Sequence, residues 1–198
     1  MSLDAALAPL GLAVLGVAGR RVLVGALPAM WEVFTASAEF SDGAPDPLDR
    51  WSRRVLGAIA KHEGADLVMP SDGPPFPPVM AWALETGRFW QSPVGMLVHA
   101  AAGLWVSVRG VLVFDTDQSG PPAAANPCPA CAAPCRSACP VDALKGETYD
   151  VAACKDHVQS DAGRDCREMG CRARRACPVS QRFGRDPAQS AFHMEAFL

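Results

Sequence analysis

The first half of the chain alternates short apolar runs with turns of small residues, a pattern that predicts mixed strands and helices. Two apolar runs, residues 11–17 and 22–27, flank the small and basic residues 18–21. This arrangement is typical of a β-hairpin, in which a tight turn joins two half-buried strands. A short helix is predicted to follow over residues 29–38.

A longer helix is predicted over residues 48–63. Asp46 and Pro47 precede it, and proline is favoured in the first turn of a helix because that turn needs no N–H from it. Apolar side chains then recur at helical spacing, which indicates one buried face. These side chains are Trp51, Val55, Leu56 and Ile59.

The rest of this half predicts further short elements. In chain order they are a buried strand over 65–69, a proline-rich loop over 71–78, a helix over 79–90 that ends near Gly87, a strand over 94–98, a turn over 100–103 and a strand over 104–114. A Pro/Ala stretch over 119–127 is typical of a linker. We therefore expect an α+β fold with a first domain over 1–120 and a second over 121–198.

Composition and charge exclude several classes of protein. The chain is 49% hydrophobic, which favours a folded core, and 17 glycines with 18 prolines predict many turns. A net charge of −3 gives no reason to expect nucleic acid as a partner. We see no run of about 18 apolar residues that would predict a membrane span. The N-terminus carries Asp4 and no basic region, so we expect a cytoplasmic protein without an export signal.

All eight cysteines lie after residue 127. The first four occur in the run CPACAAPCRSACP, and the last is again followed by proline. Disulfides are disfavoured in a reducing cytoplasm, so this number of cysteines points to metal. Eight thiolates are enough to hold two [4Fe-4S] clusters. The cysteines are Cys128, Cys131, Cys135, Cys139, Cys154, Cys166, Cys171 and Cys177.

The spacing suggests how the cysteines pair. It is close to the bacterial ferredoxin run, in which the fourth cysteine of the run binds the other cluster. We therefore assign Cys128, Cys131, Cys135 and Cys177 to one cluster. The other cluster takes Cys139, Cys154, Cys166 and Cys171.

Other metal sites remain open at this point. One cluster with spare or zinc-bound cysteines is an alternative, and so are zinc alone and disulfides. Zinc ribbons usually show paired C-x2-C spacings, which only Cys128 and Cys131 match here. His157, close after Cys154, is a further candidate ligand, although eight cysteines make it unnecessary.

The segment 128–178 resembles the ferredoxin-like domain of epoxyqueuosine reductases and reductive dehalogenases. The similarity lies in a four-cysteine run that ends in ACP and in further cysteines that end in CP. This resemblance implies two [4Fe-4S] clusters with the crossed pairing given above. It also implies an iron–sulfur oxidoreductase.

The segment 92–114, SPVGMLVHAAAGLWVSVRGVLVF, is similar to a strand-turn-strand of the cobalamin-processing (CblC-type) family. The resemblance implies a shortened flavin-reductase-like domain that places His99, Trp105 and Arg109 beside a corrinoid. Strand alternation would put Trp105 and Arg109 on one face. Ordinary roles remain open for all three: a core histidine, a packed tryptophan, and an arginine paired with an acid such as Asp115.

The function that we expect is transfer of single electrons through two [4Fe-4S] clusters to an acceptor in the first domain, with cobalamin as the expected acceptor. A plain electron-carrier ferredoxin with a structural first domain is one alternative. A module that delivers cobalamin without turnover is another. Expected partners are a redox donor protein or small reductant, a corrinoid ligand and a second copy of the chain in a homodimer. The basic residues near the later cysteines could raise a cluster's reduction potential, steer an acidic electron donor, or simply form a solvated helix face.

Overall fold

The computed structural model describes residues 2–145 and 148–198, and its architecture is mixed helix and sheet, as the α+β prediction requires. It divides into two compact units. The first comprises Met1–Phe89 and Ser107–Ala124, and the second comprises Trp90–Val106 and Ala125–Leu198. This division differs from the predicted boundary at residue 120, chiefly because residues 90–106 belong to the second unit.

The described part of the chain contains short strands and helices. The strands are β1 (Leu12–Ala18), β2 (Arg21–Ala26), β3 (Asp66–Val68), β4 (Phe89–Gln91), β5 (Leu97–His99) and β6 (Val108–Val113). The helices are α1 (Leu3–Leu7), α2 (Met30–Thr35), α3 (Ala38–Ser41), α4 (Pro47–Glu63), α5 (Val79–Glu85), α6 (Val151–Gln159), α7 (Arg164–Met169), α8 (Arg172–Ala176), α9 (Pro178–Phe183) and α10 (Pro187–Phe197). Short 3-10 helices cover Ala8–Leu10, Pro134–Arg136 and Asp161–Gly163.

The first unit is built on a four-stranded antiparallel sheet in the order β1-β2-β6-β3. β1 and β2 form the predicted hairpin, with Val17 opposite Val22. On its other side, Val22 pairs with Leu112 of β6. Both Val22 and Leu112 are buried, so the centre of the sheet contributes directly to the core.

The predicted helix over 48–63 is confirmed as α4. It begins at Pro47 and ends before Gly64, whose left-handed backbone (φ 68°) stops the helix. Trp51 is 1% exposed and meets the ring of Phe34 at an edge-to-face angle, with ring centroids 5.9 Å apart. These aromatic contacts tie α4 to α2 in the core of the first unit.

An ion pair connects α3 to α4, with the side chain of Glu39 11% exposed and that of Arg54 59% exposed. Both carboxylate oxygens of Glu39 accept hydrogen bonds from Arg54, one of them at 3.0 Å from Nη2. The hydrogen bonds from Arg54 are the main reason that the pKa of Glu39 falls from 4.5 to about 2. The charged carboxylate therefore stabilises the fold above about pH 4.5, and this contribution is lost as the pH falls towards about 2.

We expect Glu39→Gln to lower the unfolding free energy near neutral pH and to flatten its fall between about pH 4.5 and about pH 2. The measurement is urea unfolding across this pH range. Glu32→Gln on α2 is the matched control, because the side chain of Glu32 is exposed. An equal pH dependence in Glu39→Gln and the parent protein would contradict the role of this ion pair.

The second unit consists mainly of short helices and turns. β4, whose last two residues belong to this unit, pairs with β5. The C-terminal helix α10 packs against α7. The buried core combines aliphatic side chains with cysteines. Its members are Val94, Val98, Leu104, Cys135, Ala173, Cys177 and Val179.

Three predicted elements are corrected by the structure. The predicted helix over 29–38 is two short helices, α2 and α3. The predicted helix over 79–90 ends earlier, at Glu85, because Gly87 takes a left-handed backbone (φ 68°) before β4 begins. The predicted strand over 94–98 starts only at Leu97, since a turn that includes Gly95 comes first.

The predicted strand over 104–114 is also shorter, because β6 starts at Val108. The N–H of Leu104 donates to Ser180 Oγ at 2.8 Å, and the N–H of Trp105 donates to the carbonyl of Ala102 at 3.1 Å. These two N–H groups are therefore engaged outside the sheet. The prediction that Trp105 and Arg109 share one strand face is wrong for this reason.

Among the described residues, none of the helices combines the length and the apolar character that crossing a membrane would require.

Candidate functional site

The cysteines of the second unit form two groups, and the first group contains Cys128, Cys131, Cys135 and Cys177. The first three lie on a loop in which the N–H of Cys131 donates to the carbonyl of Cys128 at 3.0 Å. The N–H of Ala133 points to Cys131 Sγ at 3.4 Å. Cys177 reaches the group from the junction of α8 and α9.

The electrostatics of Cys128 show that these four cysteines are neighbours. Burial raises the pKa of the Cys128 thiol, and the charges of Cys177, Cys135 and Cys131 raise it further. The pKa of Cys135 is also raised, first by burial and then by Cys177. Burial and neighbouring cysteines thus disfavour ionisation of Cys128 and Cys135, a cost that a positive metal centre would offset.

A cavity of about 330 Å³ lies against all four cysteines of the first group. Its size is within the range of about 300–1,000 Å³ that is typical of cofactor sites. Much of the wall is apolar, including Val98, Leu104 and Val179. Ser92 also lines the cavity, and its buried Oγ has no hydrogen-bond partner among the described residues. An orphaned hydroxyl at a cysteine-lined cavity fits a bound group that carries acceptor atoms.

The second group contains Cys139, Cys154 on α6, Cys166 on α7, and Cys171 at the start of α8. Burial raises the pKa of Cys154, and the charges of Cys171 and Cys139 add to this effect. The pKa of Cys166 is likewise raised by burial and by Cys171. Within each set of four that the sequence predicted, neighbouring cysteines thus influence one another, and the binding of two clusters by these sets stays a prediction.

Among the described residues, no three His, Cys, Asp or Glu side chains lie close enough together to hold a single metal ion. His157, the further candidate ligand, lies on α6, and its buried Nε2 has no hydrogen-bond partner in the described part of the chain.

Sequence reasoning missed one residue near the second group, the sole tyrosine of the chain. Tyr149 hydrogen-bonds Cys154 through its side chain, and this contact lowers the pKa of the thiol while burial raises it. Its ring stacks on Phe197, with centroids 6.4 Å apart. The position of Tyr149 close before Cys154 is the one signal that the sequence offered.

Charged side chains also surround this group. Asp165 accepts a hydrogen bond from Arg172 at 2.6 Å and a second one from Arg175. Arg174 instead donates from Nη1 to the carbonyl of Leu104 at 2.8 Å. The basic cluster noted in the sequence is therefore not simply a solvated helix face.

His99 and Trp105 belong to the second unit and are both buried. The Nδ1 of His99 accepts hydrogen bonds from the backbone N–H groups of Ala101 and Ala102, at 3.3 and 3.2 Å. The indole of Trp105 is covered by the guanidinium of Arg185, whose Cζ lies 4.9 Å from the ring centroid. Both side chains therefore have structural contacts inside the protein.

Arg109 belongs to the first unit, on β6. Its side chain is 11% exposed, and its Nη2 forms an ion pair with Asp49 of α4 at 3.3 Å. Burial lowers the pKa of Arg109, and Asp49 raises it. The partner of this arginine is thus Asp49 rather than the Asp115 considered from the sequence.

A glycine fixes the turn after His99. Gly103 has a left-handed backbone (φ 59°), and it exchanges backbone hydrogen bonds with His99 at 2.9 and 3.0 Å. A Cβ at this position would lie 2.5 Å from the backbone nitrogen of Ser180. Glycine is therefore required both by the conformation and by the close approach of Ser180.

We expect Gly103→Ala to destabilise the second unit by about 1–3 kcal/mol from backbone strain, with about 1–3 kcal/mol more from the clash. Gly184→Ala is the matched control, since Gly184 has a similar backbone (φ 73°) and nothing within 4 Å of the added Cβ. Chemical unfolding of both variants measures the difference. Equal losses of stability would contradict the packing of Gly103 against Ser180.

Comparison of the chain with models of known protein families, with curated proteins and with solved structures found no match. The ferredoxin-like and cobalamin-processing resemblances stay predictions from the sequence.

Proposed function

We propose that this chain is a cytoplasmic iron–sulfur protein whose second unit binds two [4Fe-4S] clusters and carries single electrons. The observation that supports the proposal is that Cys128, Cys154 and Cys166 each feel the charge of other cysteines, and that these cysteines belong to the same predicted set of four. A bound [4Fe-4S] cluster supplies reversible one-electron chemistry. Cytoplasmic localisation is part of the proposal, because a reducing compartment keeps the thiols free to bind metal.

The residues of the first group fit such a cluster. Each thiolate of a [4Fe-4S] cluster binds a different iron atom, so the four sulfurs need not meet at one ion. Cys128, Cys131, Cys135 and Cys177 would bind the irons at the wall of the cavity of about 330 Å³. Val98 and Leu104 limit the access of water, and the unpartnered hydroxyl of Ser92 can donate to a bound sulfide.

The second group fits on similar grounds. Cys139, Cys154, Cys166 and Cys171 come from a loop and three helices, and the N–H of Arg172 hydrogen-bonds Cys166. Backbone and side-chain donors to cysteine sulfur are a usual feature of iron–sulfur sites. One cluster with spare cysteines would leave one group without a metal, whereas zinc would require the four thiolates of a group to meet around a single ion.

The proposal is tested by counting electrons. The full chain is purified anaerobically and titrated with dithionite while absorbance and EPR are recorded. We expect uptake of about two electrons per chain, one for each cluster. Uptake of none would exclude the proposed function, and uptake of about one would favour a single cluster.

A corrinoid as electron acceptor stays a prediction of the sequence resemblance. His99, Trp105 and Arg109 are largely buried and engaged with protein partners, so they do not fit direct contacts to a corrinoid. Added cobalamin tests the prediction: a spectral shift that is lost in Arg109→Ala would support a corrinoid site, whereas no shift would favour the plain electron carrier.

A further inference from the structure

Arg174 places a positive charge beside the second cysteine group. It lies in the first turn of α8, shortly after Cys171 at the N-cap. Its pKa is lowered by burial and raised by attraction to Cys171 and Tyr149. An arginine stays protonated under such conditions, so the charge is retained in partly desolvated surroundings.

The neighbouring arginines of α8 are neutralised, but Arg174 is not. Arg172 and Arg175 both form ion pairs with Asp165. In the described part of the chain no carboxylate pairs with Arg174, whose Nη1 donates to the neutral carbonyl of Leu104. The positive charge of Arg174 is therefore available to a negative group held by the nearby cysteines.

Tyr149 adds a neutral donor to the same site. Its side chain hydrogen-bonds Cys154. Contact between its ring and Phe197 of α10 restricts the orientation of the phenol. A hydroxyl that donates to a ligand sulfur stabilises the more negative, reduced form of an iron–sulfur site.

The first cysteine group has different surroundings. The pKa values of Cys128 and Cys135 are shifted by burial, by other cysteines of the group and by backbone N–H groups. Arg182 lines the cavity, but it is an exposed residue, so water screens its charge. The first group therefore lacks a buried cation comparable to Arg174 among the described residues.

We infer that Arg174 and Tyr149 give the second cysteine group a higher reduction potential than the first, so that an added electron resides there. This inference rests on the proposed function. Neither Arg174 nor Tyr149 is a proposed iron ligand. They act on the second group indirectly, Arg174 through its positive charge and Tyr149 through its hydrogen bond to Cys154. The two sites of the chain thus differ in potential because of these two side chains.

The test is an anaerobic redox titration of the iron-loaded full chain, followed by EPR. We expect two reduction steps, and Arg174→Gln should lower the potential of the step at higher potential by about 59 mV or more, which is about tenfold in the one-electron equilibrium constant. Tyr149→Phe should lower the same step by less. Arg174→Lys, which keeps the charge, should restore most of the loss.

Two further variants make the test specific. Arg164→Gln removes an exposed arginine of α7 whose nearest carboxylate oxygen lies 4.0 Å away, and it should shift neither step. Cys177→Ala should bind iron only at the second group. The single reduction step that remains in this variant therefore belongs to the second group and identifies the step that Arg174→Gln should shift. If Arg174→Gln does not fold, Tyr149→Phe and Arg174→Lys still report the potential.

The outcomes separate the inference from the proposed function. If the chain binds two clusters but both steps shift equally in Arg174→Gln, or neither shifts in any variant, the inference is overturned and the proposed function stands. A shift confined to the first group would also overturn it. If the parent chain binds no iron, the proposed function fails, and the inference fails with it.

Discussion

The double variant Cys135→Ala/Cys177→Ala is expected to lose about half of the bound iron, whereas Cys135→Ala/Cys139→Ala is expected to lose nearly all of it. The reason is the crossed pairing of the cysteines. Cys135 and Cys177 lie in one group, so their joint removal leaves the second group intact. The charge of Cys139 raises the pKa of Cys154, which associates Cys139 with the second group. Removal of both Cys135 and Cys139 therefore disables both groups.

The two double variants are matched controls for each other, because each removes two cysteines, one of them Cys135. Anaerobic counts of iron and acid-labile sulfide per chain give the result directly. Pairing in sequence order, with Cys128, Cys131, Cys135 and Cys139 on one cluster, would reverse the two outcomes. That reversal would contradict the assignment of Cys177 to the first group.

Removal of iron is expected to unfold much of the second unit and to leave the first unit folded. The core of the second unit includes Cys135 and Cys177, which line a cavity of about 330 Å³. A bound iron–sulfur cluster would fill this cavity and link its walls. Its helices are short: α6 has nine residues and α10 has 11. Isolated helices below about 12–15 residues are marginal in water, so they depend on tertiary packing. Metal binding at such a site is coupled to folding.

Hydrogen exchange measured by mass spectrometry tests this expectation. After anaerobic treatment with an iron chelator, peptides from residues 125–198 should lose most of their protection. Peptides from α4 provide the internal control, because Trp51 and Phe34 hold that helix in the core of the first unit without any cysteine. Retained protection over 125–198 would show that the cysteines do not hold the second unit together.

Local patterns in the sequence correctly predicted those strands and helices that depend mainly on residues close together in the chain. The hairpin of β1 and β2 follows from two apolar runs around a tight turn, and α4 follows from Pro47 and a helical repeat of apolar residues. The α+β class followed from these elements. The crossed grouping of the cysteines stays a prediction, which rests on their spacing as a constraint on the chain.

Long-range contacts could not be predicted in the same way. Residues 90–106 belong to the second unit, where Leu104 donates to Ser180 Oγ and accepts a hydrogen bond from Arg174. The hydrophobic pattern of residues 92–114 carries no information about these long-range partners. The alternation of side chains therefore predicted a strand that included Trp105. The contact between Tyr149 and Cys154 was missed for the same reason, because it depends on how the loop before α6 folds.

The most direct test of the central claim is the metal and sulfide content of the full chain purified without oxygen. The crossed groups of Cys128, Cys131, Cys135 and Cys177 and of Cys139, Cys154, Cys166 and Cys171 predict about eight iron atoms and about eight acid-labile sulfides per chain. Zinc without sulfide would contradict the claim.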